Sequence, residues 1–132
     1  MMPKNLEEAV KSSWGKDTCY PPSAEKWSSE NSALGQCAVT ALVVNDYLGG
    51  EILNCKSLHH YYNLLQDHTI VDLTKSQFPE GTLINSDRFV LRENLLYGES
   101  AEKANTLNRY YILRKRVSDK LACSQPTPIF NF

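Results

Sequence analysis

Residues 37–48 read CAVTALVVNDYL and run straight into Gly49-Gly50. Two glycines just past an apolar run stop a helix, because glycine enters the left-handed terminal turn without a steric penalty. The apolar side chains Ala38, Val39, Ala41, Leu42, Val43, Val44, Tyr47 and Leu48 fall on nearly every face of that helix. A helix with no polar face has to be packed on all sides. The fold must therefore be arranged around this segment, with Cys37 as its first residue.

The chain has 132 residues, 42% of them hydrophobic. One domain of this length buries roughly two-thirds of the surface it exposes when unfolded, which makes a core possible without disulfides. A single domain over residues 1–132 is expected. A first helix is predicted from Asn5, as its cap, to about Trp14, with Leu6, Val10 and Trp14 at helical spacing. Lys16 to Gly35 reads as irregular, broken at Tyr20-Pro21-Pro22. Glu51–Asn54 is a short strand, and HYYNLLQ and TIVDLT, on either side of Asp67-His68, form a β-hairpin from about His60 to Thr74. Phe89–Leu91 is a further strand or a helix start, and Ser100 to about Leu121 is one long amphipathic helix. The tail from about 124 to 132 is expected to be non-helical and flexible. The fold class expected is α+β: a central Cys-bearing helix on a small antiparallel sheet, with flanking helices.

Charge and cysteine usage narrow the function. The net charge of −1, with both signs interspersed, argues against a nucleic-acid partner. No stretch approaches the roughly 20 apolar residues of a membrane span. Met1–Asn5 lacks the charged and apolar regions of a secretion signal, so a cytoplasmic location is expected. Cys19, Cys37, Cys55 and Cys123 form no C-x-x-C pair, and reduced thiols are expected there. No cofactor and no metal are implied. Zinc on Cys37, His60 and Asp72 is disfavoured, because a zinc site usually adds a further Cys or His.

A thiol becomes a nucleophile as thiolate, and a helix N-terminus favours that form. Cys37 holds such a position behind Gly35-Gln36, and its backbone N–H is free to face a developing oxyanion. Asn31 is the candidate for the second oxyanion donor, with Gln36 as the fallback. The nucleophile needs a base and the base an orienter. His60 and Asp72 lie on the two arms of the expected hairpin, although His59 competes for the first role. Cross-strand partners share a face, so a turn with an odd number of residues, such as Gln66–His68, brings His60 and Asp72 together. A two-residue turn separates them. Taken singly, each residue has a plain structural reading: a core cysteine, a packed strand histidine, a turn aspartate. Their conjunction points to a cysteine hydrolase or acyltransferase acting on an amide or peptide bond, with a small amide or peptide terminus as substrate. The alternative is a binding module of the same fold in which Cys37 is structural. No feature sets the oligomeric state.

At GQCAVTALVVNDYLGGEIL, HYYN and VDLT the sequence resembles the YunG-like family of small uncharacterised bacterial proteins. The resemblance runs from about Trp14 to Phe78 and includes Trp27, Asn31, Gly35-Gln36-Cys37, Asp72-Leu73-Thr74 and Gln77-Phe78. Its Cys…His…Asp order is similar to that of papain-like peptidases, NlpC/P60 amidases and transglutaminases. The resemblance implies a papain-like or transglutaminase-like fold and assigns no activity.

Overall fold

The computed structural model describes residues 2–85 and 88–124. The expectation about the tail falls mostly on 125–132 and lies outside the described residues. The apolar run is helix α2, Cys37–Leu48, in which Val39, Leu42, Val43 and Val44 are wholly buried. It stops where the glycines demand it. Gly49 and Gly50 have φ of +69° and +80°, and a Cβ on Gly50 would stand 2.3 Å from the Leu64 carbonyl oxygen. That close approach turns the chain from α2 directly into strand β1, Glu51–Cys55.

Strands β2 (His60–Leu64), β3 (Ile70–Val71) and β4 (Arg88–Val90) complete an antiparallel sheet of order β3-β2-β1-β4. α2 lies against β2 on one side and against α5 (Thr106–Ser124) on another. The buried Asn63 of β2 donates its side-chain N–H to the Ala41 carbonyl of α2 at 3.0 Å, which pins the sheet to the middle of the helix. α1 (Lys4–Lys11) and the short helices α3 (Arg92–Tyr97) and α4 (Glu99–Lys103) pack on α5. Leu6, Val10, Leu42, Ile52, Leu113 and Val117 meet in one core. The mixed α+β class and the antiparallel sheet are therefore as expected. No helix among the described residues is long and apolar enough to cross a membrane.

Several boundaries differ from expectation for local reasons. Asn5 does not cap α1, which starts at Lys4 behind the extended Pro3. α1 ends before Trp14 because the Ser12 and Ser13 hydroxyls both fold back onto the Ala9 carbonyl. Trp14 instead donates its indole N–H to the Thr40 hydroxyl of α2 at 2.9 Å. The single helix read from Ser100 is split: Asn105 is left-handed at φ +55°, and α5 restarts at Thr106 and reaches Ser124. Tyr111, on the apolar stripe expected for that helix, is 49% exposed.

Candidate active site

Local backbone geometry sets Cys37 in place. Gly35 has φ +71°, and a Cβ there would meet the Cys19 sulfur at 2.5 Å, so only glycine makes the turn that delivers Gln36 and Cys37 to the start of α2. Gln36 is fully buried; its Nε2 donates to the Gly15 carbonyl at 3.0 Å and its Oε1 accepts from the Thr18 hydroxyl at 2.8 Å. The fallback oxyanion role read for Gln36 gives way to a bracing one, because a buried amide has to pair both of its ends. Asn31 is exposed on the turn Ser29–Asn31, and no hydrogen bond among the described residues fixes its side chain. The Cys37 side chain is partly exposed, and its S–H is 3.8 Å from the His59 carbonyl oxygen.

His60 is held by the hairpin. Asn63 pairs with Val71 and Leu64 with Ile70, and the Leu65 N–H closes on the Thr69 carbonyl at 2.8 Å. Three residues, Gln66–His68, lie between that last pair, with His68 left-handed at φ +68°. Asp72 follows the last strand residue, two positions along from the partner of His60 in the same register. The two side chains share a face. His60 is wholly buried, and its Nε2 lies 2.9 and 2.8 Å from the two Asp72 carboxylate oxygens. The Phe78 ring stands edge-on to the imidazole, with centroids 4.9 Å apart, and Tyr62 stacks on it at 5.6 Å. His59, the competing histidine, is exposed and left-handed at φ +50°; the site receives its carbonyl rather than its ring.

The electrostatics follow from this geometry. Burial opposes protonation of His60, but the Asp72 carboxylate and then the Cys37 thiol outweigh it and raise the pKa to about 9. His60 Nδ1 is buried and makes no hydrogen bond among the described residues. Asp72 occupies Nε2, so Nδ1 is the nitrogen left for the sulfur, which acts on the same ring. Tyr61 is pushed up by burial and next by Cys37, so its hydroxyl also lies in the field of that sulfur. Arg109, buried in the core, is pushed down by burial, with Cys37, Cys19 and Tyr20 acting in the opposite direction. Among the described residues, no three His, Cys, Asp or Glu side chains are grouped to hold a metal ion. An open cavity of about 630 Å³ lies beside Asp72 and Phe78, but neither Cys37 nor His60 lines it.

The family model described as YunG protein matches residues 2–122. The chain belongs to the YunG family. The match extends well past the Trp14–Phe78 stretch that carries the resemblance, into α5. The uncharacterised protein YunG of Bacillus subtilis (strain 168) is 34% identical over 77 residues. The aligned part covers 57% of this chain and 62% of that relative. No solved structure matches. Membership of the YunG family thus brings no activity with it.

Two residues at the site, Gln77 and Phe78, carry no nucleophile, base or orienter chemistry and stand out in the sequence only as family positions.

Proposed function

We propose that this YunG-family chain is a cysteine-dependent hydrolase or acyltransferase with a papain-like or transglutaminase-like arrangement of Cys37, His60 and Asp72. One observation carries the reading: a wholly buried imidazole has one nitrogen held by both oxygens of Asp72 and the other without a hydrogen bond among the described residues, with the Cys37 thiol acting on the same ring. A packing histidine has no need of such an arrangement, and an unpaired buried nitrogen is unfavourable unless something comes to use it.

In the reaction, the Cys37 sulfur attacks the carbonyl carbon of an amide, a C–S bond forms, and the carbonyl π electrons move to oxygen. His60 has taken the thiol proton and gives it to the leaving nitrogen as the C–N bond breaks and the C=O bond re-forms. Asp72 keeps the imidazole oriented and balances its charge throughout. Water or an amine then attacks the thioester, with His60 accepting and returning one proton. A pKa of about 9 suits His60 to the acid half of this cycle at neutral pH. On this reading the substrate is a small amide or a peptide terminus, and the place of action is the cytoplasm.

A second reading rests on one contact. The Cys37 S–H faces the His59 carbonyl, as it would in a binding module where the thiol is structural. Iodoacetamide labelling at pH 7, read by peptide mass spectrometry, separates the two. Cys123 is exposed and serves as the internal reference. In an activated site, the partly exposed Cys37 reacts at least about tenfold faster than Cys123 and slows to or below the reference rate in His60→Ala. A Cys37 that labels no faster than Cys123 removes the catalytic reading.

A further inference from the structure

Gln77 has a buried side-chain N–H donor with no partner among the described residues, on the same short segment that supplies Asp72. Its amide orientation is fixed by chemistry, since the Gly35 N–H donates to Oε1 at 3.3 Å and a flipped amide would set two donors against each other. Nε2 is therefore the free end. Leaving a buried amide N–H without a partner is unfavourable, and native folds keep few such groups.

Its position points to a use. Through Oε1, Gln77 is tied to the backbone two residues ahead of the nucleophile. The next residue, Phe78, touches the His60 ring, and Asp72 five residues earlier holds that ring. The amide is thus anchored between the nucleophile turn and the base. The turn Lys75–Gln77 is itself fixed, with the Gln77 N–H on the carbonyl of the buried Thr74 at 3.0 Å. Across from it, the start of α2 is uncapped: Gln36 makes no side-chain cap bond, and the first hydrogen bond within the helix runs from the Thr40 N–H to the Gln36 carbonyl. The Cys37 N–H is left to face a ligand.

We propose that the Gln77 side-chain amide is the second oxyanion donor of this site, acting with the Cys37 backbone N–H on the oxygen that becomes negative when the sulfur attacks. This rests on the catalytic reading given above, and it replaces the donor roles read for Asn31 and Gln36.

Two reagents separate the donor role from a structural one. p-Nitrophenyl acetate acylates Cys37 through a tetrahedral oxyanion, expelling p-nitrophenolate as the C–O bond breaks. Iodoacetamide forms a C–S bond as iodide leaves, with no charge developing on a carbonyl oxygen. Gln77→Glu keeps an acceptor for the Gly35 N–H but removes the donor, and Gln77→Met removes both without adding charge. Acylation of Cys37 is expected to fall about 10²–10³-fold in both variants, the loss typical of one oxyanion donor, while alkylation stays within about threefold of the parent. Asn31→Ala should leave both rates near the parent's. Equal losses in acylation and alkylation would make Gln77 a structural brace and overturn the assignment, as would unchanged acylation in both variants. A loss of acylation confined to Asn31→Ala would hand the role to Asn31. A parent chain that p-nitrophenyl acetate does not acylate at Cys37 overturns the catalytic reading itself, and the Gln77 role with it.

Discussion

The imidazole of His60 is the residue on which stability and chemistry meet. In the unfolded chain it titrates near 6.5, and in the fold near 9, so the folded state binds its proton more tightly. The resulting stabilisation is fully present below about pH 6.5 and is lost as pH rises through 9. A rise of this size corresponds to about 3 kcal/mol at 1.36 kcal/mol per unit. Urea unfolding at pH 6 and at pH 9.5 should therefore show the parent losing stability of this order, and His60→Gln losing markedly less. Equal losses in the two proteins would mean that Asp72 and Cys37 do not hold the proton on His60. The pairing of His60 with Asp72 and the place of Cys37 at the start of α2 were legible in the sequence, the first from the hairpin register and the second from the Gly-Gly helix stop. Gln36 misled: its place beside the nucleophile suggested a donor, whereas its burial against Gly15 and Thr18 depends on a loop with no periodic pattern to read.

At the scale of elements, register and one glycine decide whether the site exists. The turn has an odd count between Leu65 and Thr69, so His60 and Asp72 fall on one face; a two-residue turn would have turned Asp72 away. α2 was visible because its apolar run is long, and β1 and β2 because strand-forming residues follow the Gly-Gly stop and flank Asp67-His68. The split at Asn105 was not, since a single left-handed residue leaves the helical pattern on either side intact. Helix α3 was hidden for a different reason: six residues make too little pattern to show a period. Gly50 carries a sharper consequence. Its φ of +80° alone makes a side chain unfavourable by about 1–2 kcal/mol. A Cβ would also meet the Leu64 carbonyl at 2.3 Å, and backbone can move away only by shifting β2. Gly50→Ala should therefore destabilise the protein by more than the left-handed backbone alone would cost, measured by thermal or urea unfolding. A loss below about 1 kcal/mol would show that the joint between α2 and β1 is slack.

Over the whole molecule, the Cys37 end of α2 is placed by what lies behind it. The sheet holds one side of the helix through Asn63, and α5 holds another through Tyr110, Leu113 and Val117, all buried. Arg92 ties the same helices from α3. Its guanidinium donates to the Leu42 carbonyl and the Asn45 side chain at 3.1 and 2.9 Å, and to the Tyr110 hydroxyl at 2.8 Å. Site and scaffold are thus separable: α5 supplies none of Cys37, His60 and Asp72, and it packs α2 from the side away from the sheet. Leu113 is wholly buried at this contact, so Leu113→Ala should lower stability by about 2–5 kcal/mol, the usual effect of emptying a leucine site in a core. The alkylation rate of Cys37 in the folded variant should change little at a temperature well below its unfolding midpoint, because α2 keeps its sheet contacts and its Arg92 bonds. A large loss of Cys37 reactivity in a variant that is still folded would show that packing by α5, rather than the sheet, sets the distance between the sulfur and His60.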